Sequence, residues 1–435
     1  MSTARNLAAL LDSSGDVVAG ALDNAGGGGV GEFKGDSIAI SSDDTALTSQ
    51  TATTAANIAI GDRAFEYAVN IIDSVAIGEN AAKKVTTGQY SVALGSNAAS
   101  NTTTLNSTVA IGSYAARSYS NSTGNSVYIG LESGYNGGGS NNTAVGANTL
   151  HSSSHTNKNT AIGDYAGNAI SGEENTVIGR RAGMTGGGLN VCVGASTGEK
   201  MYGSTKHTYV GSLAGNYVNS GTQNTALGSY ALWGISSVSG AITQNTAIGA
   251  DALKYMQDGT GATSITNSAG LGYNSRVSGS NQVQLGNSST TTYAYGSIQN
   301  RSDERDKADI ADTSLGLDFI SKLRPVEYRW DYREDYFTDS EITTENTDGE
   351  QRQETVLSPT VKDGSQKRNR LHQGLIAQEV KAVMDDLGVE FGGYQDHSLN
   401  GGTDVKSIGY QELIAPMIKA IQELSEKIKV LEEAQ

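Results

Sequence analysis

Between residues 57 and 286 the chain repeats one short pattern of polar, apolar and glycine positions. It reads NIAIG ending at Gly61, SVAIG at Gly78, SVALG at Gly95, TVAIG at Gly112, and NTAIG at both Gly163 and Gly249. Fourteen such anchors are spaced 14 to 23 residues apart, most often 17, which is the signature of a repeat array. Each unit predicts a short strand whose side chains alternate between faces, such as Ala161 and Ile162. A turn follows at the glycine, where a residue without Cβ lets neighbouring coils stack closely. One unit cannot bury its apolar face alone, whereas stacked coils can. The linking stretches, such as SNSTGN at 120 to 125, suit the turns between coils. The pattern therefore predicts a mostly β protein with a parallel β-roll or β-helix shaft.

The ends of the chain follow other rules. Ile414, Met417, Ile421, Leu424, Ile428 and Leu431 alternate spacings of three and four, the heptad seam of a coiled coil. So narrow a seam is poorly buried in a monomer, and Ile with Leu leaves dimer and trimer both open. Leu7, Leu10 and Leu11 form a small apolar face near the N-terminus, followed by Gly26 to Gly29, read as a flexible joint. Residues 334 to 368 are acidic, then basic, and read as a mobile loop with no site. Three parts are expected: an N-terminal segment over 1–30, a shaft over 31–300 and an α+β domain over 301–435 that ends in the coiled-coil helix.

Composition supports the division. Only 37% of the 435 residues are hydrophobic and 6% aromatic, with 55 glycines and 3 prolines, so a large conventional core and a collagen-like or Pro-rich stalk are both disfavoured. Of 76 charged residues, 32 lie in residues 1–302 and 44 in the last 133. The net charge of −16 argues against a nucleic-acid partner and against charge-driven docking on an anionic membrane. Cys192 is the single cysteine, so no intrachain disulfide exists, and assembly in a reducing cytoplasm is expected. The sequence has neither a signal-peptide pattern nor an 18-residue apolar span, so membrane insertion is not expected.

The repeats resemble those in the heads of trimeric autotransporter adhesins and in phage fibres, over roughly residues 55 to 290. This resemblance implies a parallel β-roll in each chain and three chains around a common axis; a monomeric β-solenoid is the alternative. STARNLAALLDSSGD, at residues 2 to 16, is similar to N-terminal segments of virion structural proteins. The resemblance implies anchorage of the fibre to another virion protein, against the alternative of a frayed terminus.

Ser302 and Lys307, five residues apart in SIQNRSDERDKADI, suggest a nucleophile and its base. A serine hydroxyl attacks poorly near neutral pH until a base takes its proton, and a lysine serves when desolvation lowers its pKa. Alone, such a pair is usually solvated surface. The SDxRxK start, the LRPVEYRW strand and the HQGLIAQEV segment together resemble the endosialidase-type intramolecular chaperone, a serine peptidase family that cuts its own chain. The resemblance implies that Ser302 is the cleavage-site serine, Lys307 its base, the Ser302–Asp303 bond the cut, and a trimer the oligomer. It places His372 where the family has a histidine; a packed structural histidine is the alternative there. Glu379 is read as a helix-surface carboxylate.

The expected protein is a viral tail fibre or similar that attaches to a host surface glycan or receptor and acts in the virion. A tailspike depolymerase is the rival. Glycan hydrolysis needs two placed carboxylates, yet residues 1–302 hold only 18 scattered acidic residues, and Glu173 and Glu174 sit in an expected turn. Tyr114, Tyr165 and Tyr230 follow anchor glycines by two residues; they could stack on sugars, though packing on the next coil is the favoured reading. The sequence has no Cys/His cluster and no phosphate loop, so no cofactor or metal is expected.

Overall fold

The computed structural model describes residues 30–34, 37–41, 46–48, 56–118, 124–137, 139–153, 156–234, 242–262, 264–345, 351–400 and 402–434. The attachment segment expected over 1–30, with its glycine joint, lies outside the described residues except for Val30. Two compact units are present: residues 1–254 with 263–266, and residues 255–262 with 267–435.

The first unit is a parallel β-solenoid. Among its described residues, thirteen strands run from Ser37–Ser41 to Thr246–Ile248, each beside the next. Registers align the repeats residue for residue, as in Ile58↔Val75, Ala59↔Ala76 and Ile60↔Ile77. The middle residue of each strand points inward, so Ala76, Ala110, Ala161 and Ala247 have no exposed surface. The following aliphatic residue points outward, as expected of period-two alternation. Val30–Lys34 pairs antiparallel with Ser37–Ser41, so a hairpin covers one edge of the sheet instead of leaving it unpaired.

Two kinds of repeated residue set the stacking. At Gly95, with φ +134°, an added Cβ would lie 2.6 Å from the backbone carbon of Gly112. Any side chain there would push two coils apart, which explains the glycine at this step. The residue before each strand forms an interior polar ladder. Ser74 N–H donates to Asn57 Oδ1 at 2.9 Å, Asn175 N–H to Asn159 Oδ1 at 2.9 Å, and Asn190 N–H to Asn175 Oδ1 at 2.9 Å. Each buried side chain thus satisfies a backbone donor of the next coil, where an unpaired one would cost about 1–3 kcal/mol.

The second unit holds a further parallel strand pair, Ala269–Leu271 with Val283–Leu285, and an α+β body. Its core gathers Leu315, Phe319, Val380, Met384, Phe391 and Leu413, with the rings of Phe319 and Phe391 5.4 Å apart. Helices Leu317–Lys322, Ala377–Leu387 and Ile414–Glu433 frame it. Gly316 gives the first of these no side-chain cap; Glu423 on the last supplies one by accepting from Leu317 N–H at 2.8 Å.

The reading of residues 334 to 368 as a mobile loop is corrected. Phe337–Glu345 pairs antiparallel with Gln351–Pro359 over nine residues each. Its base is anchored by Tyr336, whose hydroxyl donates to Asp331 at 2.7 Å and accepts from Gln366 N–H at 3.1 Å. Backbone pairing satisfies these polar strands without an apolar pattern to announce them.

Candidate functional site

Ser302 lies in a stretch in which every residue from Ser289 to Asp312 is exposed. A 3-10 turn over Glu304–Asp306 follows it, and Asp303 caps the turn by accepting from Arg305 N–H at 2.9 Å. The turn carries the chain back on itself, and Lys307 Nζ donates to Ser302 Oγ at 2.8 Å. Ion pairs brace it on both sides, Arg301 with Asp306 at 3.1 Å and Arg305 with Asp303 at 2.7 Å. The Arg305 guanidinium and backbone N–H hold the Asp303 carboxyl below its usual range. Asp303 is therefore an anion beside Ser302, suited to fixing the turn rather than to supplying a proton.

The sequence expectation joined this pairing to desolvation of the lysine. Within one chain that second condition is absent, since Ser302 and Lys307 are both exposed. The geometry for proton transfer is in place while water still surrounds it.

His372 is held elsewhere. Its strand, His372–Gly374, pairs with Val326–Tyr328, with His372 opposite Tyr328. The imidazole lies 5.8 Å from the Tyr328 ring and 6.2 Å from that of Trp330. Among the described residues, no hydrogen bond or ring contact joins it to Ser302 or Lys307. Glu379 forms a two-pronged pair with Arg324, including a 3.0 Å bond to Nε, which holds its carboxyl below its usual range.

Of the other residues singled out in the shaft, Glu173, Glu174, Tyr114 and Tyr230 have side-chain partners. Glu173 accepts from Asn157 and Glu174 pairs with Lys158 at 2.9 Å. Tyr114 lies beside Tyr135 with Arg117 over both rings, and Tyr230 meets Trp233 and Lys254. Tyr165 is among the exposed large side chains. No cluster of three metal-ligating side chains occurs among the described residues, nor is any described helix long and apolar enough to cross a membrane.

Sequence reasoning missed a second arrangement in this unit. His397 meets Ser278 and Gln282 through one ring nitrogen and Ser407 through the other. Ser278 and Gln282 lie more than a hundred residues from His397 and Ser407, so no spacing could have grouped them.

Residues 302–354 match the family model for the chaperone of endosialidase. The match begins at Ser302, includes Lys307, and ends before His372. No curated protein and no solved structure matches the chain. A parallel β-solenoid leading into a segment that matches the endosialidase chaperone fits a fibre- or tailspike-type protein.

Proposed function

We propose that the chain is one subunit of a trimeric viral fibre whose shaft attaches to a host surface glycan or receptor. Its C-terminal domain aligns three chains and then severs itself. The observation that carries this reading is the order on one chain: a parallel solenoid followed directly by the chaperone-type segment with Ser302 and Lys307 in hydrogen-bond contact. Endosialidase chaperone domains are associated with trimeric assembly. Two surfaces support trimerisation. The outward strand residues Leu94, Ile162, Ile178, Leu227 and Ile248 are 37% to 48% exposed and stand on one sheet face, an aliphatic row a monomer would leave wet. The helix seam from Ile414 to Leu431 is 43% to 64% exposed at its six positions. Parallel strands from three chains form slowly unless their register is set, and a C-terminal clamp raises their effective concentration. Residues 1–30 attach the fibre to another virion protein.

Trimerisation would also cover this stretch, because Tyr293, Tyr295, Ile298 and Ile310, which flank the dyad in sequence, are 65% exposed or more in one chain. Two bond-breaking routes balance. In one, Lys307 takes the Ser302 hydroxyl proton and Oγ attacks the Arg301 carbonyl through a five-membered ring. The C–N bond breaks with return of the proton to the Ser302 nitrogen, and water then hydrolyses the ester. In the other, Lys307 activates water to attack the Ser302 carbonyl, since Oγ attack there would close a four-membered ring, and Asp303 nitrogen leaves protonated. Each route consumes one water. Wild-type protein should yield a C-terminal fragment of 134 or 133 residues, beginning at Ser302 or Asp303 respectively, by intact mass. Lys307→Ala should stay full length by either route, Ser302→Ala should stay full length by the first, and both should still assemble. Cleavage of both variants at the wild-type rate would refute the dyad.

A further inference from the structure

The second unit contains chain from both sides of the proposed cut, and the two sides touch at several places. Residues 255–262 and 267–301 precede Ser302, yet they share one compact unit with residues 303–435. We propose that the coil at residues 275–288 is a docking site for the severed C-terminal domain, so that cutting at Ser302 leaves the domain bound with His397 as the central contact. Only the position of the cut is carried over from the self-cleavage reading.

The contact is built from buried, oriented groups. Ser278, 1% exposed, donates its backbone N–H to Gln282 Oε1 at 2.9 Å, which fixes that amide. Gln282 Nε2 therefore faces His397 Nδ1, at 3.1 Å, as a donor. Nδ1 is thus an acceptor, and it also meets Ser278 Oγ. The ring proton is on Nε2, directed at Ser407 Oγ 3.0 Å away. One neutral imidazole therefore joins the upstream coil to the strand Lys406–Ile408. The backbones also meet: Thr403 N–H donates to the Ser278 carbonyl at 2.6 Å, and a Cβ on Gly279 would come within 3.0 Å of Gly402 Cα.

A second contact supports the first. Ser288 Oγ donates to Asp335 at 2.6 Å, and Arg368 holds the same carboxylate at 2.7 Å. Ser278 and His397 also make a nucleophile-and-base pair, but burial of the serine keeps substrate from it. Their arrangement serves attachment.

The test separates docking from self-cleavage by supplying the cut. In full-length Ser302→Ala protein, a recognition sequence for a specific protease is placed between Tyr295 and Gln299, where every residue is exposed. After digestion near neutral pH, the two fragments should co-elute in size-exclusion chromatography. With His397→Ala added, the C-terminal fragment should dissociate at least about tenfold faster, the loss of roughly one well-placed hydrogen bond. His397→Gln, able to replace one nitrogen at a time, should fall between. Unchanged circular dichroism before digestion shows that each variant is folded. Separation of the fragments without the His397 substitution overturns the proposal, as does retention in His397→Ala equal to that of the parent. Failure of the wild-type dyad to cut would refute self-cleavage and leave this result unaffected.

Discussion

His207 occupies a ladder position that asparagine fills in the coils on either side, at Asn190 and Asn224. Its Nδ1 accepts from Asn224 N–H at 3.2 Å, and its ring stacks 4.9 Å from that of Tyr209. Burial pulls the imidazole down to about 4, against the opposing pull of the Gly221 carbonyl. Its folded pKa thus lies below the unfolded value, and the unfolded chain binds more protons between them. This contribution is fully present above about pH 6.5 and is lost as pH falls towards 4, to a limit of about 3 kcal/mol. Denaturation of the shaft at pH 7 and pH 4.5 should show this loss, and His207→Asn should remove most of it. An unchanged pH slope in His207→Asn would contradict the placement. Residues acting through near neighbours were legible: the anchor glycines by their period, and Ser302 with Lys307 because one short turn joins them. His372 was singled out by resemblance alone, and in the structure its ring lies in the aromatic cluster of Tyr328 and Trp330.

Among the elements, the solenoid strands announced themselves because most place Ala inward and Ile, Val or Leu outward at a fixed step from glycine. The asparagine ladder did not, because a polar residue before a strand reads equally well as part of a turn. The hairpin Phe337–Glu345 with Gln351–Pro359 lacked a signal for a related reason: charge and threonine dominate its sequence, and backbone pairing alone defines it. The C-terminal helix was legible, since the six heptad positions from Ile414 to Leu431 all fall within Ile414–Glu433. Its exposed seam implies that substitutions there spare the single-chain fold and strike assembly. Ile421→Asp with Ile428→Asp places charges where partner helices would exclude water, at several kcal/mol per assembly. Sedimentation should then show mostly monomer with unchanged helix content on first purification; a full trimer would remove the helix from the assembly interface.

At the scale of the whole molecule, the solenoid and the chaperone-type segment make complementary demands. A repeat array has stability that accumulates coil by coil, and its open aliphatic row gives it a reason to associate. Cleavage after assembly would break the covalent link to the element that set the register, so that a chain once separated could not readily return. The fold class of each part was legible because repetition and heptads are properties of sequence. The expected boundary at residue 300 follows charge, and the compact units group the last coil, at 267–288, with the C-terminal body. The most direct test of the account is the mass of full-length Ser302→Ala protein in solution, measured by light scattering at micromolar concentration. Three times 45.1 kDa is the predicted result; a stable species of 45.1 kDa would contradict it.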